Sequence, residues 1–183
     1  MPIGDAVETM DTFYPYLRLP EYGYEMVLAG PEARLYHTVL HEIPPNSDVP
    51  WGMTQERPGY YLEASVAFAD LRSEDFVGVF VFGGRAPEFI RYDENLRRVV
   101  KEIADAGKPI ACICHGIEIL TASNVIQGKR VTTVPKCAMD AEQGGATYTG
   151  DPWIVDGSPV TGRSWQDNME VCREFVRLLK ASS

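Results

Sequence analysis

Apolar and polar residues follow two different periods along this chain. Val77-Gly78-Val79-Phe80-Val81-Phe82 is a continuous apolar run stopped by Gly83-Gly84, the pattern of a strand buried on both faces. The period then changes. Over residues 87–106, Leu96, Val99, Val100 and Ile103 fall on one helical stripe, with Glu94, Arg97, Arg98, Lys101 and Glu102 largely outside it. This predicts one helix, ended by Gly107. Residues 109–113 predict a second short buried strand, and Cys114-His115-Gly116 turns it into a helical run at 117–122.

The remaining pattern is weaker. Residues 23–29 read as a short strand after a helical segment that ends near Pro20 and Gly23. Beyond Gly128 the pattern predicts a strand at 130–134, a helix at 136–143, short strands at 153–155 and 159–161, and a closing helix at about 165–180. Strands alternating with helices imply an α/β fold, a flavodoxin-like parallel sheet with helices on both faces. Between residues 31 and 60, Pro44, Pro45, Pro50 and Pro58 surround Asn46-Ser47-Asp48 with little periodicity. A long extended insertion is expected there, of the kind that serves a site or an interface. At 183 residues the chain 1–183 is expected to be a single domain carrying that insertion.

Composition narrows the function classes. A hydrophobic fraction of 45% excludes an intrinsically disordered chain. The net charge of -9, with 17 scattered basic residues, argues against a nucleic-acid partner, because phosphate binding needs clustered Lys and Arg. No apolar run approaches the length of a membrane span, and Met1-Pro2-Ile3-Gly4-Asp5 lacks the features of a signal peptide. A cytoplasmic protein with no membrane partner is expected, its four cysteines reduced. Cys112 and Cys114 are separated by one residue and His37 and His41 lie far from them in sequence, so no metal site is expected.

Three segments carry candidate chemistry. In Ile113-Cys114-His115-Gly116, a cysteine sits on a strand-to-helix elbow at the carboxyl edge of the sheet, where α/β sites lie. Elbow amides and a helix start favour thiolate, so a lowered thiol pKa is expected. A small buried apolar cysteine is the alternative. Gly83-Gly84-Arg85-Ala86-Pro87-Glu88 leaves a buried strand at the same edge, and its amides are candidates for an oxyanion cradle; a plain tight turn competes with that reading. Glu88 is then either a functional acid or a helix-dipole partner. Glu8 and Asp11, three residues apart, are expected to share a helix face, as a proton-handling pair or as ordinary dipole complements.

In this order, these segments resemble the ThiJ/PfpI superfamily, a branch of the class I glutamine amidotransferase-like fold, nearest its PfpI-type and plant glyoxalase-like members. The resemblance implies Cys114 as nucleophile, His115 as its neighbour, Glu88 as the acid after the glycine turn, and Gly83, Gly84 and Gly116 as oxyanion or substrate contacts. The carboxylate four residues before a proline is Asp11, ahead of Pro15, where those members usually carry Glu; Glu8 is the possible substitute acid. Val134 stands where several relatives place a polar residue near the thiol, and Met1-Pro2-Ile3 supplies only the tail of the family's first strand. The segment around His41-Glu42 and Glu56-Arg57-Pro58-Gly59-Tyr60 is similar in placement to the plant-branch insertion and is expected to rim the pocket, where His37 and His41 are candidate substrate contacts, with surface bystanders the favoured reading.

What the resemblance implies about activity is a cofactor-independent cysteine enzyme acting on small reactive carbonyls, of glyoxalase III or deglycase type. The other activities it offers are a PfpI-type cysteine peptidase or amidase, an isonitrile hydratase, and a redox-sensing chaperone without turnover. It also implies a homo-oligomer and a small-molecule substrate.

Overall fold

A computed structural model describes residues 1–43 and 55–182. In chain order the elements are β1 (Val7–Glu8), α1 (Thr9–Arg18), β2 (Ala29–Gly30), β3 (Leu35–Glu42), β4 (Gln55–Glu63), β5 (Val66–Ala67), β6 (Val79–Val81), α2 (Ala86–Ile90), α3 (Glu94–Asp105), β7 (Ile110–Ile113), α4 (Ile117–Ala122), β8 (Arg130–Val131), α5 (Ala138–Gln143), β9 (Thr147–Tyr148), β10 (Trp153–Val155), β11 (Val160–Gly162) and α6 (Asn168–Ala181). The architecture is α/β. At its centre, β6, β7 and β11 run parallel, and β10 closes the far edge antiparallel.

Alternation along β6 shows why both faces are covered. Phe80 meets Phe175 of α6 edge-on at 5.4 Å and stacks on Phe82 at 5.1 Å. Val79, of opposite parity and therefore on the opposite face, lines a cavity with Val99, Val100 and Ile103 of α3. Burying each of these large side chains contributes on the order of 2 kcal/mol. The stripe of Leu96, Val99, Val100 and Ile103 read from the sequence is the buried face of α3.

Several boundaries differ from expectation for local reasons. The single helix expected over 87–106 is two, because Asp93 accepts from the backbone N–H groups of Asn95 (2.8 Å) and Leu96 (3.0 Å) and so starts α3 afresh. Of the strand expected at 23–29, only Ala29 is paired, in β2 with Val66–Ala67. Met1–Ile3 runs beside it, with Ile3 N–H donating to the Ala29 carbonyl at 2.7 Å. The aperiodic excursion at 31–60 is largely a hairpin: β3 pairs antiparallel with β4 and parallel with β1. The sequence of β4 carries no period-two signal, because most of its side chains are exposed on both faces. Pro44, Pro45, Asn46-Ser47-Asp48 and Pro50 lie outside the described residues. Among the described residues, no helix is long and apolar enough to cross a membrane.

Candidate active site

The elbow begins where β7 ends. Ile113 is still extended, whereas Cys114 has φ +57°, a left-handed conformation that is costly for a residue with a Cβ. The strain is held by surroundings. The Thr133 hydroxyl donates to the Cys114 carbonyl at 2.6 Å. A Cβ on Gly116 would lie 2.9 Å from the Val81 carbonyl and 3.0 Å from that of Phe82, so only glycine lets the turn close on β6. Packing against β6 therefore requires glycine at position 116.

Cys114 Sγ lies 3.3 Å from His115 Nδ1, and both residues are buried. Asp11 reaches the same point from α1: its Oδ2 accepts from the Gly83 N–H at 3.2 Å. A Cβ on Gly83 would stand 2.6 Å from that oxygen and 2.6 Å from Cys114 Cβ. Gly83 is thus the spacer between carboxyl and thiol, with its amide engaged by Asp11, which removes it from the expected oxyanion cradle. Gly84, at φ +84°, sits against the Glu8 backbone N and the Ala6 carbonyl, and its role is likewise close approach of backbone.

Glu8 and Asp11 do not share a helix face as the spacing suggested. Glu8 ends β1 and caps α1: its Oε2 accepts from the Asp11 N–H at 2.6 Å, and its Oε1 from the His41 N–H at 3.4 Å. Asp11 is the residue that faces the elbow. Glu88 lies farther out, with Oε1 2.8 Å from Arg85 Nε, half-buried and without a described contact to Cys114 or His115. Within one chain it does not orient His115.

Electrostatics reverse one expectation. Burial, then the nearby Asp11 carboxyl, push the Cys114 thiol well above its ordinary value, and the His115 backbone N–H only partly opposes this. The elbow amides were expected to lower it, but a closed apolar setting outweighs them. Burial, then Glu8, raises Asp11 well above the carboxylate range, against the Gly83 N–H and the Cys114 thiol, which favour the anion. Burial drives His115 down to about 3, aided by Lys136, His41 and Arg85. At rest the site holds a protonated thiol and a neutral imidazole, beside an Asp11 carboxyl whose proton affinity is raised.

Two further residues were missed or misjudged. Thr133 supplies the polar group that the neighbouring Val134 lacks, one position earlier than the resemblance suggested; Val134 itself is fully buried. His41, expected on the surface, is buried, with Nε2 2.8 Å from Glu56 Oε2 and its ring 5.9 Å from that of His115. Pairing of β3 with β4 puts Glu56 directly across from His41, a relation that only the strand register reveals. His37 is exposed and paired with Asp5 at 2.9 Å, as a bystander would be. Glu118, Cys137 and Asp140 bring possible metal-ligand atoms within 4.8 Å of one another. Arg91 already lies 3.4 Å from Glu118 and 3.2 Å from Asp140, where a cation would sit.

A thiol on a strained strand-to-helix elbow, at the carboxyl edge of a parallel sheet, defines an α/β protein of the cysteine-elbow class. The chain belongs to the DJ-1/PfpI family, whose model matches residues 1–178. It is 32% identical over 177 residues to a deglycase of Pyrococcus abyssi, covering 97% of this chain and 96% of that one. It is also 30% identical to the deglycase PfpI of Pyrococcus furiosus, with the same coverage. Among solved structures, a two-domain protein from Anabaena variabilis with DJ-1/ThiJ/PfpI-like and ferritin-like domains superposes with a TM-score of 0.85 at 25% identity. That match covers 98% of this chain and 48% of the Anabaena chain.

Proposed function

We propose that this chain is a cofactor-independent cysteine enzyme acting on small reactive carbonyls, of the deglycase or glutathione-independent glyoxalase type. The observation that carries the reading is the convergence of Cys114 Sγ, His115 Nδ1 and the Asp11 carboxyl around Gly83. The deglycase names of its relatives support it. So does the closure of the site: Cys114 is 1% exposed, a setting suited to a small aldehyde and poorly suited to an extended peptide.

In the proposed reaction the Cys114 thiol adds to the aldehyde carbon of an α-oxoaldehyde such as methylglyoxal, its proton leaving through the neutral His115, to give a hemithioacetal. A base then takes the carbon-bound proton and returns it to the neighbouring carbon through an enediol. Asp11, whose raised proton affinity suits it to accept a proton, or His115 performs that transfer. Backbone N–H groups at the elbow stabilise the oxyanion. Water hydrolyses the resulting thioester to a 2-hydroxy acid and frees the thiol. One carbon is oxidised and its neighbour reduced, so no external oxidant or reductant enters.

The test is mass spectrometry of the protein incubated with methylglyoxal, together with assay of lactate. A covalent adduct on Cys114 and lactate formation are expected. A protein that forms neither is not this enzyme.

A further inference from the structure

The buried thiol raises a question of where its proton goes. His115 is the only imidazole touching Sγ among the described residues, yet its surroundings disfavour a positive charge: it is buried, and Lys136 and Arg85 act on it as like charges. A proton placed on His115 would have no described carboxylate beside it. Asp11 also lies close to the thiol, and burial and Glu8 disfavour its carboxylate form.

The hairpin supplies what His115 lacks. His41, on β3, has its side chain 5% exposed, and its Nε2 is 2.8 Å from Glu56 Oε2 on β4. A carboxylate in that place takes the Nε2 proton as a hydrogen bond, leaving Nδ1 as the lone-pair nitrogen. Nδ1 is buried and has no hydrogen-bond partner among the described residues. The His41 ring lies 5.9 Å from the His115 ring, tilted by 56°, a separation that one hydrogen bond or one bridging water spans. Glu56 is 40% exposed and so reaches solvent.

We propose that the His41–Glu56 pair is the proton store of this site: it receives the Cys114 proton by way of His115 and holds the positive charge that balances the thiolate. The inference rests on Cys114 being the reactive thiol of the proposed function. In the transfer the S–H bond breaks as His115 Nδ1–H forms, and His115 Nε2–H breaks as His41 Nδ1–H forms. His115 ends neutral in its other tautomer, now donating to the thiolate. No electrons move between groups. The charges facing the pair are Glu8, whose Oε1 accepts from the His41 N–H, Glu56, and His115, with Arg85 and Lys136 acting on His115 from α2 and α5 sides of the elbow. Glu56 Oε2 lies within hydrogen-bond distance of His41 Nε2, and Arg85 and Lys136 favour moving the charge away from His115. Both push the proton outward. His41 is a positioning residue in this account, acting on the thiol through His115.

The experiment is the rate of Cys114 alkylation by iodoacetamide, read by peptide mass spectrometry from about pH 5 to about pH 10, the range over which an unperturbed thiol ionises. It needs no substrate. His41→Gln, which keeps size and hydrogen bonding but cannot hold the proton, is expected to slow Cys114 labelling about tenfold across that range, the effect of a rise of about one pH unit in thiol ionisation. Glu56→Gln is expected to slow it by less. In His41→Ala, added imidazole is expected to restore part of the rate, which a purely structural role would not allow. Should His41→Gln fold poorly, Glu56→Gln and the imidazole response of His41→Ala carry the test.

A wild-type pH profile in both His41→Gln and Glu56→Gln would overturn the proposal, as would a wild-type Cys114 that resists alkylation throughout the range. Failure of the enzyme reading looks different: methylglyoxal yields neither adduct nor lactate, while the slower alkylation of the two variants persists.

Discussion

Gly83 and Asp11 are 72 residues apart in sequence, yet the Gly83 N–H donates to Asp11 Oδ2 at 3.2 Å. There is no room for a Cβ between that oxygen and Cys114. Gly83→Ala is therefore expected to force the carboxyl and the thiol apart, destabilising the fold by about 1–3 kcal/mol and abolishing turnover. Urea unfolding and a methylglyoxal assay check this. An alanine variant with wild-type stability and rate would mean that the spacing does not matter.

Four cysteines are buried, and burial raises the pKa of each. Burial thus does not distinguish them, but Cys114 alone has an imidazole nitrogen at 3.3 Å. Under native conditions Cys114 is expected to be alkylated faster than Cys112, Cys137 or Cys172. Cys114→Ser is expected to stay folded and lose turnover. Faster labelling of another cysteine would remove the ground for placing the chemistry at the elbow.

Asp11 faces the thiol, whereas Glu8 is occupied as the cap of α1. Asp11→Asn is expected to lower turnover by on the order of 10²- to 10⁴-fold, the usual contribution of a general base. Glu8→Gln keeps an oxygen for the Asp11 N–H and is expected to cost far less rate. The reverse ranking in a steady-state assay would move the proton chemistry to Glu8.

Two groups give opposing pH dependences of stability. Glu8 is raised, chiefly by burial, from 4.5 to about 7, so its contribution is present at low pH and is lost as pH rises through about 7. His115 is lowered from 6.5 to about 3, so its contribution is present above 6.5 and is lost as pH falls toward about 3. Between pH 4.5 and 6.5, where both groups titrate differently in the folded and unfolded chain, the two slopes oppose each other. Glu8→Gln is expected to remove one falling contribution, making the slope of stability against pH more positive than in wild type by up to about 1.4 kcal/mol per unit. Urea midpoints at about pH 5 and about pH 6.5 read this directly; equal slopes would contradict it.

Thr133 donates to the Cys114 carbonyl at 2.6 Å. Thr133→Val preserves shape and leaves that buried carbonyl without its donor, at an expected cost of about 1–3 kcal/mol. Because the carbonyl belongs to the strained residue itself, turnover is expected to fall as well. An unchanged thermal midpoint and rate would show that the elbow holds its conformation without Thr133.

The chain's local pattern already determined the α/β class, the buried strands on either side of α3, the stripe of Leu96, Val99, Val100 and Ile103, and the run from Ile110 through Cys114 into α4. These are legible because strand and helix periods, and glycines at a tight turn, are properties of neighbouring residues. Only the tertiary structure brought Asp11 to Gly83, set Glu8 as a cap, split the helix at Asp93, and folded His41 beneath Glu56 on a hairpin. It also reversed the expected direction of the thiol pKa. Protonation depends on what surrounds a group in three dimensions, and here enclosure by β6, α1 and the elbow outweighs the amides that the local sequence supplies.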